Sequence, residues 1–362
     1  MVQYKRVLDT MAPYKPGKPI EETQREYGIE TIVKLASNEN PYGYSPLVAK
    51  WLKEEAHELA LYPDANATNL REVVAKRYDV APESLIFGNG SDELISIIAR
   101  TFFEPGTHTV VPTPSFTQYV HNAKVEGADF TEVPLREDGH HDYEAMLQAI
   151  RPETRVVWIC NPNNPTGTLL RSDELKAFID QIDSRIFIVL DEAYVEYITD
   201  PDYVDTLNWL EEYDNLILLR TFSKAYGLAS IRVGYGIGHE RVIEQLNKVR
   251  NPFNNNTLAH TIAQIAIEDQ SFIETCRTKN ETERKRYEQF ATQHGLHMYP
   301  SQTNFVLLET TRGANEVSEQ LLRQGIIVRS GDLLGTPGYI RVTIGTKEQN
   351  DVFFEAYEQL LN

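Results

Sequence analysis

Five short apolar runs, each closed by a glycine, a proline or a polar residue, constrain this chain more than any other feature. Ser84-Leu85-Ile86-Phe87 leads into Gly88-Asn89-Gly90, and Thr109-Val110-Val111 into Pro112. Arg155 to Cys160 stops at Asn161, Ile186 to Leu190 stops at Asp191, and Leu216 to Leu219 leads to Thr221-Phe222-Ser223-Lys224. Runs this short and this apolar read as buried strands. Between them lie helix-periodic stretches such as Ser91 to Phe103 and Ser172 to Ile182, each opening on a serine that could cap the helix, with a Glu close behind. Strands alternating with helices predict an α/β chain with a mostly parallel sheet.

That architecture says where to look for chemistry. In open α/β sheets, ligands bind beyond the carboxyl ends of the strands. The residues at those ends form a consistent set. Gly88-Asn89-Gly90-Ser91-Asp92 joins a strand to a helix, where glycines allow close backbone approach and the helix N-terminus offers N–H groups to a phosphate. It lacks the third glycine of a dinucleotide fingerprint and is not a P-loop. Asn161-Pro162-Asn163-Asn164-Pro165-Thr166-Gly167 is a loop stiffened by two prolines, with Asn164 held at the strand end. Asp191 follows five apolar residues, so its carboxylate needs a partner to offset desolvation. A protonated pyridine nitrogen is such a partner. Lys224 is an amine at a strand end, with the Ser223 hydroxyl beside it and Arg232 eight positions on. A buried lysine can lose its proton, and Schiff-base chemistry needs the free amine. Pyridoxal phosphate is the cofactor that joins an aldehyde to a phosphate.

Composition narrows the partners. The 35 Lys and Arg against 53 Asp and Glu give a net charge of −18, which argues against nucleic acid or an anionic membrane as the main partner. Local arginines can still make a pocket positive for a small anion. Cys160 and Cys276 are too few and too far apart for a disulfide framework, and a reducing cytoplasm is the expectation. No signal-peptide pattern follows Met1, and no run approaches the length of a membrane span.

The motifs Asn-Pro-x-Asn-Pro-Thr-Gly at 161–167, Asp-Glu-Ala-Tyr at 191–194 and Ser-Lys-Ala-Tyr-Gly at 223–227 with Arg232 downstream resemble the fold-type I pyridoxal-phosphate-dependent aminotransferases. The resemblance spans Asn38 to Arg341. Finer features are similar to the histidinol-phosphate aminotransferase family: the arm Pro13 to Pro19, Leu35 to Pro41, Tyr62-Pro63-Asp64 and Ile340 to Gly345. It implies a large domain with a mostly parallel sheet flanked by helices, plus a smaller α+β C-terminal domain. The division expected is an N-terminal arm at 1–40, a cofactor-binding domain at 41–252 and a small domain at 253–362.

The resemblance also implies roles. Lys224 forms the Schiff base and moves the proton. Asp191 pairs with the pyridine nitrogen, and Asn164 and Tyr194 hydrogen-bond the ring oxygen. Ser91 and Asp92 backbone N–H groups, Ser223 and Arg232 hold the phosphate. Phe116 stacks on the ring where relatives often have Tyr, keeping the stacking but losing a hydroxyl. Tyr62 reaches the cofactor phosphate of the other subunit of a homodimer. Arg341, Arg329 and Tyr14 hold the substrate phosphate, since two guanidiniums suit a dianion. The implied reaction exchanges the amino group of L-histidinol phosphate with 2-oxoglutarate, giving imidazole-acetol phosphate and glutamate in histidine biosynthesis. An aromatic amino acid aminotransferase, dual specificity, and a decarboxylase of a phosphorylated amino acid are the alternatives.

Further expectations concern segments around the site. The first forty residues read as an extended arm, and residues 257 to 293 as one long helical stretch. Ile326 to Arg329 reads as a single strand of the smaller domain. His140-His141-Asp142 reads as a solvated loop rather than a metal site.

Overall fold

A computed structural model describes residues 2–13, 18–54 and 60–361. Among these, the chain forms strands β1 (Val33–Lys34), β2 (Leu85–Gly88), β3 (His108–Thr113), β4 (Asp129–Pro134), β5 (Thr154–Cys160) and β6 (Phe187–Asp191). They continue as β7 (Leu216–Thr221), β8 (Gly234–Gly238), β9 (Phe305–Glu309), β10 (Ile326–Ile327), β11 (Arg329–Ser330) and β12 (Tyr339–Thr343). The α-helices of the first half are α1 (Ile20–Tyr27), α2 (Pro46–Glu54), α3 (Thr68–Tyr78), α4 (Ser91–Phe102), α5 (Gln118–Glu126), α6 (Tyr143–Gln148) and α7 (Ser172–Ile179). Those of the second half are α8 (Glu240–Val249), α9 (Thr257–Glu268), α10 (Gln270–His294), α11 (Ala314–Arg323) and α12 (Lys347–Leu361).

The main sheet has seven strands in the order β2-β8-β7-β6-β5-β3-β4. Its parallel order is broken by β8, which runs antiparallel to both neighbours. Glycines explain how β8 fits. A Cβ on Gly234 would stand 2.8 Å from the Ser91 nitrogen, so only glycine lets this strand approach the start of α4. The sheet's central residues, among them Val157, Ile188, Leu190 and Leu218, are fully buried. Each such side chain contributes about 1.5–3 kcal/mol of burial. This α/β sheet, buried on both faces, holds β5, β6 and β7 level, with Cys160 opposite Asp191 and Asp191 opposite Leu219.

A second, antiparallel sheet, β11-β12-β9, packs with α10, α11 and α12 around a separate core that includes Tyr287, Val306, Ile340 and Phe353. The stretch read as one strand at 326–329 is two, interrupted at Val328. β10 pairs in parallel with β1, while β11 pairs with β12.

Four more local expectations are corrected. The first forty residues are not simply extended: Arg6–Thr10 forms a 3-10 turn and α1 a short helix, with its C-terminus capped by Gly28 in the left-handed region. The long helical stretch breaks at Asp269, whose carboxylate accepts from Phe272 N and from Ser45 Oγ. A residue that caps a helix cannot continue the preceding one. α9 then packs on the main-sheet side, with Ala259, Ile262 and Ala263 in the core that holds Val74 and Tyr235. Neither Ser91 nor Ser172 caps its helix with its side chain. Gly90 occupies the cap position before α4, and Glu93 reaches back to Asn89 N. Ser172 Oγ instead accepts from Val204 N, and its helix ends at Ile179 rather than Ile182. Finally, His141 is fully buried, not solvated, and lies edge-on to Tyr143, while Asp142 caps α6.

Candidate active site

A cleft opens at the carboxyl ends of the central strands. Ser91, Asp92, Phe116, Asn164, Asp191, Tyr194, Ser223, Lys224, Arg232, Arg329 and Arg341 all line it. These residues come from loops and strand ends far apart in sequence, and the fold brings them to one place. Tyr62, also singled out from the sequence, is not among the residues that line it. Tyr62 is 83% exposed and stacks on Phe253, with ring centroids 4.8 Å apart. Tyr14 lies outside the described residues.

The anion end of the cleft is built on α4. Gly90 takes φ +79° at the cap of α4, whose first N–H groups have no intrahelical partners. Arg232, itself at φ +59°, lays its guanidinium across this turn: Nη1 donates to Ser223 Oγ at 3.2 Å and Nη2 to the Asn89 carbonyl at 3.1 Å. The positive φ favours glycine, and a Cβ on Gly90 would lie 2.6 Å from Arg232 Nη2 and push the guanidinium aside. Asp92 is 3.8 Å from the same nitrogen.

The cleft also holds a buried acid. Asp191 ends β6, is 3% exposed, and accepts from Tyr119 Oη at 2.8 Å and from Ala193 N at 3.2 Å. Burial pushes its pKa up to about 6, with the negative Asp92 and Glu192 adding to the effect, against the two hydrogen bonds.

Lys224 lines the same cleft. Its Nζ donates to the Ser37 carbonyl at 3.3 Å and lies 5.7 Å from the centre of the Tyr194 ring. Burial, then the positive charge of Arg341, brings its pKa down from 10.5 to about 8. Roughly a tenth of the amine is therefore uncharged at pH 7, far more than at the ordinary value.

The remaining wall comes from the second sheet. Arg329 and Arg341 are register partners on β11 and β12, and both are buried. Arg341 donates to Asn164 Oδ1 at 2.6 Å and to the Ala36 carbonyl at 3.0 Å. With Oδ1 so engaged, Asn164 has its NH2 group to offer as a donor. Tyr194 Oη accepts from Asn38 Nδ2 at 3.0 Å.

Among the described residues, four cations and two carboxylates line the cleft, so it favours anions inside a chain of net charge −18. Sequence reasoning missed Asn38 and Tyr119. Asn38 stood in a quoted motif, and its left-handed φ of +56° has no sequence signal apart from the tolerance of Asn for that region.

The model of the family described as aminotransferase class I and II matches residues 30–356. The chain is 52% identical over 360 residues to the histidinol-phosphate aminotransferase of Geobacillus thermodenitrificans, covering 99% of this chain and 98% of that protein. It is 51% identical to that of Bacillus subtilis strain 168, covering 99% and 100%. A crystal structure of histidinol-phosphate aminotransferase from Sinorhizobium meliloti, in complex with pyridoxal-5'-phosphate, superposes with a TM-score of 0.90 at 26% identity, covering 100% of this chain and 98% of that one.

Proposed function

The chain belongs to the class I and II aminotransferase family, and from that premise we propose that it transfers the amino group of L-histidinol phosphate to 2-oxoglutarate in histidine biosynthesis, using pyridoxal phosphate. The products are imidazole-acetol phosphate and L-glutamate. The observation that carries the substrate is the pair Arg329 and Arg341, buried side by side on adjacent strands at the cleft wall. A phosphate monoester carries a charge near −2 at neutral pH. Two guanidiniums offer it more charge-assisted donors than a single carboxylate needs.

The residues present fit the cofactor. Asp191 is a buried carboxylate whose two hydrogen-bond donors, Tyr119 and Ala193 N, are neutral. A protonated pyridine nitrogen supplies the counter-charge that such a group lacks. The α4 N-terminus, Ser223 and Arg232 are a donor set for a phosphate. Bound pyridoxal phosphate supplies an aldehyde and an electron-withdrawing ring that stabilises negative charge on the substrate carbon.

The chain's own residues do the rest. Lys224 presents a largely desolvated amine, able to attack a carbonyl when neutral and to carry a proton when charged. Asp191 would pair with the protonated pyridine nitrogen of the bound cofactor. Asn164 and Tyr194 would hold the ring oxygen, and Phe116 would stack on the ring. Ser91, Asp92, Ser223 and Arg232 hold the cofactor phosphate, and Arg329, Arg341 and Tyr14 the substrate phosphate. Tyr62, exposed on its own chain, serves the neighbouring site of a homodimer. The arm (1–40), the cofactor-binding part (41–252) and the smaller part (253–362) belong to the same proposal, with α9 packing back on the middle part. No helix among the described residues is long and apolar enough to cross a membrane. A cytoplasmic location fits a chain with two free, buried cysteines.

The test is a substrate panel on the purified holoenzyme. The kcat/KM for histidinol phosphate should exceed those for phenylalanine and tyrosine. Arg329→Ala should lower kcat/KM for histidinol phosphate by about 10- to 100-fold, the worth of charge-assisted hydrogen bonds, and lower the aromatic substrates' less. A preference for phenylalanine or tyrosine in the unaltered enzyme would replace this reading with an aromatic aminotransferase.

A further inference from the structure

Tyr119 is the second residue of α5, and no part of it reaches solvent. Its ring stacks on Trp158 of β5, with centroids 4.6 Å apart and planes 15° apart, and meets Phe116 edge-on at 5.7 Å. A buried phenol needs a hydrogen-bond partner, and a backbone carbonyl would serve. This one ends on Asp191 Oδ2 at 2.8 Å. The other carboxylate oxygen takes Ala193 N at 3.2 Å. The two donors grip opposite oxygens and so fix the plane of the carboxylate. The shorter bond comes from Tyr119.

We propose that Tyr119 is a positioning residue, which orients Asp191 and holds it as a carboxylate ready for the protonated pyridine nitrogen of the cofactor. This rests on the cofactor reading above. The groups around Asp191 oppose its ionisation. Burial disfavours its negative charge, and Asp92 at the start of α4 and the adjacent Glu192 repel it. Cys160 at the end of β5 and Tyr194 are the other titratable groups facing it, and burial keeps both protonated. Tyr119 is the side-chain donor working in the opposite direction. Its own pKa is raised well above the ordinary value by burial first, then by Asp191, so its proton stays available to donate across the working pH range. Through its contact with Phe116 the same side chain steadies a second wall of the cleft.

The test is titration of ligand-free protein with pyridoxal phosphate, followed by absorbance, across a pH series from mildly acidic to mildly basic. Tyr119→Phe keeps the ring stack and removes only the hydroxyl. It should weaken cofactor binding by about 10- to 100-fold. It should also move the acid limb of the binding–pH curve upward by roughly one pH unit, since the charged form of Asp191 loses a donor. Tyr119→His, which returns a ring N–H, should recover part of both effects, and it takes over the comparison if Tyr119→Phe does not fold. In an Asp191→Asn background the penalty of Tyr119→Phe should shrink to within about twofold. Two results would each show that the Tyr119 hydroxyl does not act through Asp191, and either overturns the inference. One is an acid limb that does not move in Tyr119→Phe. The other is a Tyr119→Phe penalty as large in the Asp191→Asn background as in the unaltered chain. Failure of the unaltered protein to bind pyridoxal phosphate would instead overturn the cofactor reading.

Discussion

Lys224→Ala should leave a folded protein whose transamination rate is lower by roughly 10⁴-fold or more, because it removes both the attacking amine and the proton carrier at one stroke. Borohydride reduction should then trap no cofactor on the chain, although the phosphate end of the cleft stays intact. The folded state itself should not suffer. The folded pKa of about 8 lies below the ordinary 10.5, so folding disfavours the protonated amine. That cost is absent above pH 10.5, grows as the pH falls, and is complete below about 8. Alanine removes it, so thermal unfolding of the ligand-free protein near neutral pH should come no earlier in Lys224→Ala than in the unaltered chain. A variant that turns over at the full rate would end the account of Lys224.

Arg220→Ala should cost about 3–5 kcal/mol of stability, the usual result of stripping one partner from a buried ion pair. Glu192 is fully buried, and Arg220 meets it with Nε at 2.9 Å and Nη2 at 2.8 Å. Thr206 Oγ1 and the Tyr203 hydroxyl also donate to Glu192, and the Arg220 guanidinium lies 5.0 Å from the centre of the Tyr78 ring. Two hydroxyls cannot replace a cation for a carboxylate with no access to water. Replacing both partners, Arg220→Met with Glu192→Leu, should cost less than the single change, because no unpaired charge remains. Chemical denaturation of the ligand-free protein reads both. A loss below about 1 kcal/mol for Arg220→Ala would show that the pair contributes as little as a surface bridge.

Most of the cleft was legible in the sequence because its residues sit where short apolar runs stop. Asp191 ends a strand, Asn164 and Lys224 follow one, and parallel strands lay their carboxyl ends along one edge. Strand alternation therefore points to the edge of the sheet where the cleft lies. What stayed hidden depends on contacts remote in sequence or on competition between local partners. The Tyr119–Asp191 bond joins residues 72 positions apart, and nothing in the neighbourhood of Tyr119 marks it as more than a core aromatic. Ser91 and Ser172 look like helix caps, yet Gly90 and a loop N–H at Val204 took over the geometry. Asp269 interrupts a stretch of good helix formers because its carboxylate caps the helix that follows and meets Ser45 from another segment. His141 reads as polar, but its ring is packed into the interior beside Tyr143. The direction of the strand ends is a local property and could be read; the partners of buried polar groups are a property of the whole fold.

The most direct measurement follows the amino group. Purified chain loaded with pyridoxal phosphate is given histidinol phosphate carrying a heavy-isotope amino nitrogen, together with unlabelled 2-oxoglutarate. The account predicts labelled glutamate in equal amount to imidazole-acetol phosphate, with no carbon dioxide released. Glutamate without the label, or carbon dioxide in place of it, would contradict it.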